Sequence, residues 1–223
     1  MVVINSPQPS EAQRLGEIYV SSMAENPVVI VQFPTPERRQ ELQAYFTISI
    51  EHSIQKSPDT TLVARTDNGR ILSFIHWDVI DPHTAHQEAK ESNNPPKADP
   101  SASDSVSFDS EALSWQSNYL AIAEDARVKT MGQRPYIHLV YVSTDPNHQG
   151  HGSASRLLSR LMEVAVSNRL PIWLESTMNA VSFYEKKGWQ RVCKICTPAP
   201  GNAGEFHGGV YEEQGMLWEA PSA

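Results

Sequence analysis

Residues 136–154, YIHLVYVSTDPNHQGHGSA, run from a strand through a turn and a glycine-rich loop into a helix. Tyr136 to Ser143 is mostly β-branched, aromatic and aliphatic, with the length of a core strand. Asp145-Pro146-Asn147 punctuates its end. From Ala154 the apolar residues Leu157, Leu158, Leu161, Met162 and Ala165 recur at helical spacing, one stripe for a sheet to cover. Between strand and helix lie Gln149, Gly150, His151, Gly152, Ser153 and Ala154, where small residues let a ligand approach the backbone. Free N–H groups and the positive end of the helix dipole then make a seat for phosphate.

Two common phosphate loops do not fit. No Gly-Lys-Ser/Thr follows the glycines, so this is not a P-loop. The G-x-G-x-x-G spacing of a dinucleotide site is also absent. Gln149-x-x-Gly152-x-Ala154, preceded by Pro146, resembles instead the Gln/Arg-x-x-Gly-x-Gly/Ala motif of the GCN5-related N-acetyltransferases (GNAT). A second block, Leu174-Glu175-Ser176-Thr177 followed by Phe183-Tyr184-Glu185-Lys186-Lys187-Gly188-Trp189, resembles that family's strand, short helix and closing Tyr-Glu-Lys-x-Gly-Phe signature. Leu174–Tyr184 looks like the variant common in small fungal members, while the family's frequent Asn after the fifth strand has no clean counterpart. The resemblance covers Tyr136–Trp189. It implies the α/β GNAT fold: a mixed central sheet of about six to seven strands, helices on both faces, and a cleft where the fourth and fifth strands splay.

Composition agrees with a single domain over residues 1–223. Hydrophobic content of 39 % suffices for a core, although 16 prolines imply much irregular chain. A net charge of −8 argues against a nucleic-acid surface. No apolar run is long enough to cross a bilayer, and the N-terminus lacks the pattern of a secretory signal. A cytoplasmic enzyme with no membrane or nucleic-acid partner is the expectation; a homodimer is compatible with it. Cys193 and Cys196 sit in a strand-like run, where a spacing of three sends side chains to opposite faces, so two reduced thiols are expected. The histidines show no metal-ligand spacing.

Along the chain, Met1–Ile4 reads as a strand and Ser10-Glu11 opens a helix carrying Leu15, Ile18 and Tyr19, which Pro27 ends. Val28–Phe33 reads as a buried connection. Pro36-Glu37 starts a helix with Leu42, Tyr45, Phe46 and Ile50 inside, and Asp67-Asn68-Gly69 joins two strands as a hairpin. The segment 83–107 is polar and nearly free of aliphatics, and reads as a flexible surface insertion. An extra helix is expected over 110–131, with Trp115, Tyr119, Ile122 and Ala126 on one side and Gly132 at its end. That stripe either packs on the core or places Trp115 or Tyr119 at an acceptor pocket. Strands follow at Leu170–Glu175, Trp189–Thr197 and Val210–Trp218, with a mobile loop over Pro198–Gly209.

The resemblance implies that acetyl-CoA is the cosubstrate. Its pantetheine arm would bond to the main chain around Val142, Ser143 and Thr144, like an added strand. Backbone N–H groups from Gln149 to Ala154 would hold its diphosphate. Acetyl transfer needs a neutral amine, yet an alkylammonium of pKa near 10 has no lone pair at neutral pH. A general base must take that proton. His138 falls where some family members carry a catalytic glutamate, and an imidazole titrates near neutral pH. The competing reading is a hydrogen-bonded core histidine. Glu175 is the other candidate base, or else a structural carboxylate capping the next helix. Tyr184 matches the family's tyrosine that protonates or hydrogen-bonds the departing thiolate, against the reading of a satisfied core tyrosine. The expected activity is direct transfer in a ternary complex to a small-molecule primary amine. Acetylation of a protein or peptide, and a non-catalytic acyl-CoA sensor, are the alternatives; Tyr184 and the His138/Glu175 pair argue against the sensor.

Overall fold

The computed structural model describes residues 2–83, 110–198 and 209–220. The expected insertion beyond His83 and the interior of the Pro198–Gly209 loop lie outside them. The chain divides into two compact units, residues 1–78 with 139–164 and residues 79–138 with 165–223.

In the first unit β1 (Val2–Asn5) pairs antiparallel with β2 (Thr61–Thr66), and β2 with β3 (Ile71–Ile80). Three helices separate β1 from β2: α1 (Ala12–Ser22), α2 (Pro27–Gln32) and α3 (Pro36–Lys56). The Thr35 hydroxyl accepts from Arg38 N at the start of α3, while Leu42, Phe46, Ile50 and Ile54 lie buried along one side. Leu15 and Ile18 of α1 pack with Phe46, Ile50 and Ile54 of α3 over Val63 and Phe74 of the strands. Each large aliphatic buried there contributes roughly 1.5–3 kcal/mol.

The segment expected as a connection at Val28–Phe33 is instead helix α2. Pro27 does not end α1, which stops at Ser22. It occupies the first turn of α2, where a missing N–H costs nothing, and the Asn26 side chain accepts from Val28 N.

The first unit also holds the end of β4 (Tyr136–Thr144) and most of the helix after it. Asp145 fixes the turn between them. Arg14 Nη2 donates to Asp145 Oδ2 at 2.6 Å, and Asn147 N donates to Oδ1 at 3.0 Å. The Asp145 N–H bonds Leu72 O at 2.8 Å. Burial would raise this carboxyl; the bonds from Arg14, Asn147 and His148 outweigh it and bring its pKa down to about 2.

In the second unit α4 (Ser110–Met131) is closed by Gly132, whose N–H bonds Val128 O at 2.9 Å. The first residues of β4 run parallel to β5 (Ile172–Thr177), with Ile137 opposite Ile172 and His138 opposite Trp173; no further pair joins these two strands among the described residues. After β5 come α6 (Val181–Glu185), β6 (Gln190–Pro198) and β7 (Val210–Trp218), while α5 (Ser153–Asn168) precedes it. β7 pairs antiparallel with both β5 and β6, so the strand order is β1-β2-β3-β4-β5-β7-β6. Cys193 lies opposite Gly215 and Cys196 opposite Glu212, hence on opposite faces, and both thiols are free. Among the described residues no helix is long and apolar enough to cross a membrane.

Directly opposed residues share a face of a sheet. The register therefore puts Trp173, Glu175, Cys193, Ile195, Thr197, Tyr211, Glu213 and Gly215 on one face, which α4 packs against. A Cβ on Gly215 would come within 2.5 Å of Cys193 Sγ and 2.7 Å of the Trp173 indole. Glycine is what lets that ring lie across β7. Gly215→Ala is expected to cost about 1–3 kcal/mol, read as a lowered denaturant midpoint at unchanged m-value.

Candidate active site

The second unit collects the acid–base candidates. His138 Nε2 lies 2.7 Å from Glu175 Oε2. Trp173 Nε1 donates to Glu175 Oε1 at 2.7 Å, and Arg127 Nη1 donates to the same oxygen at 3.2 Å. Strand pairing explains the first contact, since His138 opposes Trp173 and Glu175 follows two residues later on the same face. Burial alone would push the Glu175 carboxyl up; the bond and the charge of His138, the bond from Trp173 and the charge of Arg127 outweigh it and hold it below the ordinary value. Glu175 is thus an ionised carboxylate with three donors, a poor proton acceptor and a good anchor for an imidazole.

A second carboxylate sits on the same face. Tyr211 donates to Glu213 Oε1 at 2.5 Å, and the Tyr119 hydroxyl donates to Glu213 Oε2. Burial pushes Glu213 up, against the pull of the two phenols and with help from the nearby charge of Glu175. Trp115 stacks on Tyr119 at 5.6 Å, meets Tyr211 edge-on, and donates from Nε1 to Pro198 O at 2.5 Å. Trp115 and Tyr119 seat the helix on the sheet. The expected stripe is rotated: Ala123 and Met131 are the buried positions, and Ile122 and Ala126 are half-buried.

Tyr184 is buried in α6, ring against Phe183 and Trp189. Burial pushes its phenol pKa upward, so the hydroxyl keeps its proton at neutral pH. No side chain among the described residues bonds that hydroxyl.

The first unit holds the loop. Gly150 and Gly152 have φ of 77° and 78°, in the left-handed region that favours glycine. A Cβ at either would meet no heavy atom within 4 Å. Ser153 at the start of α5 is 2 % exposed, and its Oγ is buried without a hydrogen-bond partner. An orphaned buried hydroxyl, an open glycine cradle and the N-terminus of a 16-residue helix fit a diphosphate. The side chains of Gln149 and His151 are exposed, and the His151 ring turns back on Gln149 O at 2.7 Å, leaving the main chain to act. Ala154 is half-buried on the first turn. Of the strand positions Val142, Ser143 and Thr144, the Ser143 carbonyl already accepts from the Ser73 hydroxyl at 2.8 Å, which also meets Thr144 Oγ1 at 2.8 Å.

Arg127 and Trp173 lie beyond what the sequence singled out, and Asp145 figures there only as a turn residue. Arg127 had a legible signal, since it continues the i, i+4 series from Tyr119 through Ala123 on α4.

The sequence matches the model of the acetyltransferase (GNAT) family over residues 27–189. No curated protein matches it. Among solved structures it resembles a Corynebacterium glutamicum protein described as histone acetyltransferase HPA2 and related acetyltransferase, at 19 % identity and TM-score 0.60, covering 100 % of this chain and 98 % of that one. It also resembles Drosophila melanogaster polyamine N-acetyltransferase, at 13 % identity, TM-score 0.62, and coverage of 98 % and 100 %. Arylalkylamine N-acetyltransferase 2 from Aedes aegypti aligns at 12 % identity and TM-score 0.62, with 99 % of each chain covered. At such identities the shared property is the fold. With well over half of its length matched by the family model, the chain belongs to the acetyltransferase (GNAT) family and is an acetyl-CoA-dependent N-acetyltransferase.

Proposed function

We propose that the chain moves an acetyl group from acetyl-CoA directly to the nitrogen of a small-molecule primary amine, with both substrates held at once. One observation carries the reading: His138 faces an ionised Glu175 at 2.7 Å through Nε2, and no partner engages its Nδ1 among the described residues. Two lone pairs do not sit 2.7 Å apart, so Nε2 carries the hydrogen that Glu175 accepts. In the neutral tautomer the Nδ1 lone pair is the one left to take a proton from the acceptor ammonium or from an intervening water, and that is the role assigned to it. Glu175 stays ionised and stabilises the imidazolium that results. It is a positioning residue rather than the base.

Bound acetyl-CoA would supply an activated acyl carbon, and CoA would depart as a thiolate that takes up the second proton shed by the amine nitrogen as the amide forms. The main chain at Gly150–Ala154 and the Ser153 hydroxyl hold its diphosphate. Tyr184, protonated throughout the working range, donates a hydrogen bond to the sulfur without surrendering its proton. A net charge of −8 favours a cationic acceptor. Several proteins of the same fold carry names of enzymes acting on agmatine, polyamines and arylalkylamines, all small amines.

Release of thiol from acetyl-CoA across a panel of primary amines and peptides tests the reading. Turnover on a small amine is expected. Turnover on peptides alone would move the assignment to a protein acetyltransferase, and tight cofactor binding with no turnover would make the chain a sensor. Tyr184→Phe is expected to lower kcat about 10- to 100-fold, with acetyl-CoA affinity within about twofold of the parent.

A further inference from the structure

We infer that Arg127 of helix α4 is a positioning residue for the reaction, holding Glu175 in place and setting a fixed positive charge beside the His138 imidazole. The inference rests on the assignment of His138 as the base. Arg127 Nη1 is 3.2 Å from Glu175 Oε1 and 3.5 Å from His138 Nε2, with 18 % of its side chain exposed. The His138 Nε2 hydrogen is engaged by Glu175, so the 3.5 Å approach is a charge placed beside the ring.

Two effects follow from that placement. The carboxylate of Glu175 favours a protonated imidazole, whereas a base must begin neutral. A guanidinium that never loses its charge opposes the carboxylate at the ring. It also occupies Oε1 together with Trp173, which turns Oε2 toward His138 alone.

A second observation separates this from ordinary packing. Arg127 Nε is buried and has no hydrogen-bond partner among the described residues. A helix that needed only to cover the sheet would do so at less cost with an apolar side chain. Titratable groups reach this cluster from every element around it: Glu124 and Tyr119 from α4, Tyr136 from β4, Glu175 from β5, Cys193 from β6 and Glu213 from β7. Among the described residues Arg127 is the one cation these groups meet.

The test is the pH profile of kcat/KM. Anything that favours the protonated imidazole moves the acidic limb to higher pH, because more alkali is then needed to free the base. In Arg127→Met the limb is expected to rise by about half a unit to one unit. At pH 7 kcat/KM falls by at most about three- to tenfold and recovers toward the parent value above the shifted limb, with KM for acetyl-CoA unchanged. Arg127→Lys keeps the charge and should leave the limb in place. Arg127→Gln, polar but uncharged, should shift it like methionine, and serves if the methionine variant does not fold. A limb that stays put in the uncharged variants overturns the inference. The same profile in His138→Gln distinguishes the two failures: if that variant keeps the parent rate and limb, it is the assignment of the base that has failed.

Discussion

Replacing His138 by glutamine is expected to lower kcat by about 10²- to 10⁴-fold, with the dissociation constant for acetyl-CoA unchanged. Glutamine approximates the imidazole in size and can still donate to Glu175. It has no lone pair basic enough to take a proton from an ammonium or water, so the substitution removes the base and leaves most of the hydrogen-bond frame. Steady-state thiol release measures kcat, and calorimetric titration measures binding. The residual rate should rise with pH up to the pKa of the acceptor amine, because the enzyme then depends on amine already free in solution. A variant within about fivefold of the parent at neutral pH would return His138 to the class of hydrogen-bonded core histidines.

Gly152→Val should weaken acetyl-CoA binding by at least about 100-fold, equivalent to about 2.7 kcal/mol. At φ 78° an L-residue is strained by about 1–2 kcal/mol, which lowers stability but leaves the folded state populated. The larger loss comes from position. The space a side chain would enter is open, at the turn from which Ser153 and the first N–H groups of α5 start. Gly69 supplies the control, with φ 87° and equally open surroundings in the β2–β3 hairpin. Gly69→Val carries the same kind of strain with no phosphate seat beside it. If both valine variants lose binding alike, or neither does, the loop is not the diphosphate seat.

Chance in the chain's local rules made much of this molecule legible. A strand, a proline-marked turn and a glycine loop are each decided by backbone sterics within a few residues, and so they read correctly from Tyr136 to Ala154. The Asp67–Gly69 hairpin and Gly132 at the end of α4 belong to the same class. Pro27 shows the limit of such signals. A proline is incompatible with the interior of a helix and favourable in its first turn, and only the packed chain shows on which side of it the helix lies.

The candidate site divides along the same line. His138, Glu175 and Tyr184 could be named from motif positions, but their roles could not be assigned from them. Glu175 competes with His138 as the base in the sequence; in the structure three donors surround its carboxylate, which supports the proposal that it positions the imidazole. Those donors lie on α4, β4 and β5, with Arg127 and His138 standing 48 and 37 residues from Glu175. Gly215 gains its meaning only when the Trp173 ring is found across it. By itself the sequence determined most of the elements, the glycine-rich loop and the residue types capable of the chemistry, because these follow from short-range sterics and side-chain identity. Which donors and charges surround each candidate was decided by tertiary structure, since a proton's preferred seat depends on every charge and donor within a few ångströms, whatever their distance along the chain.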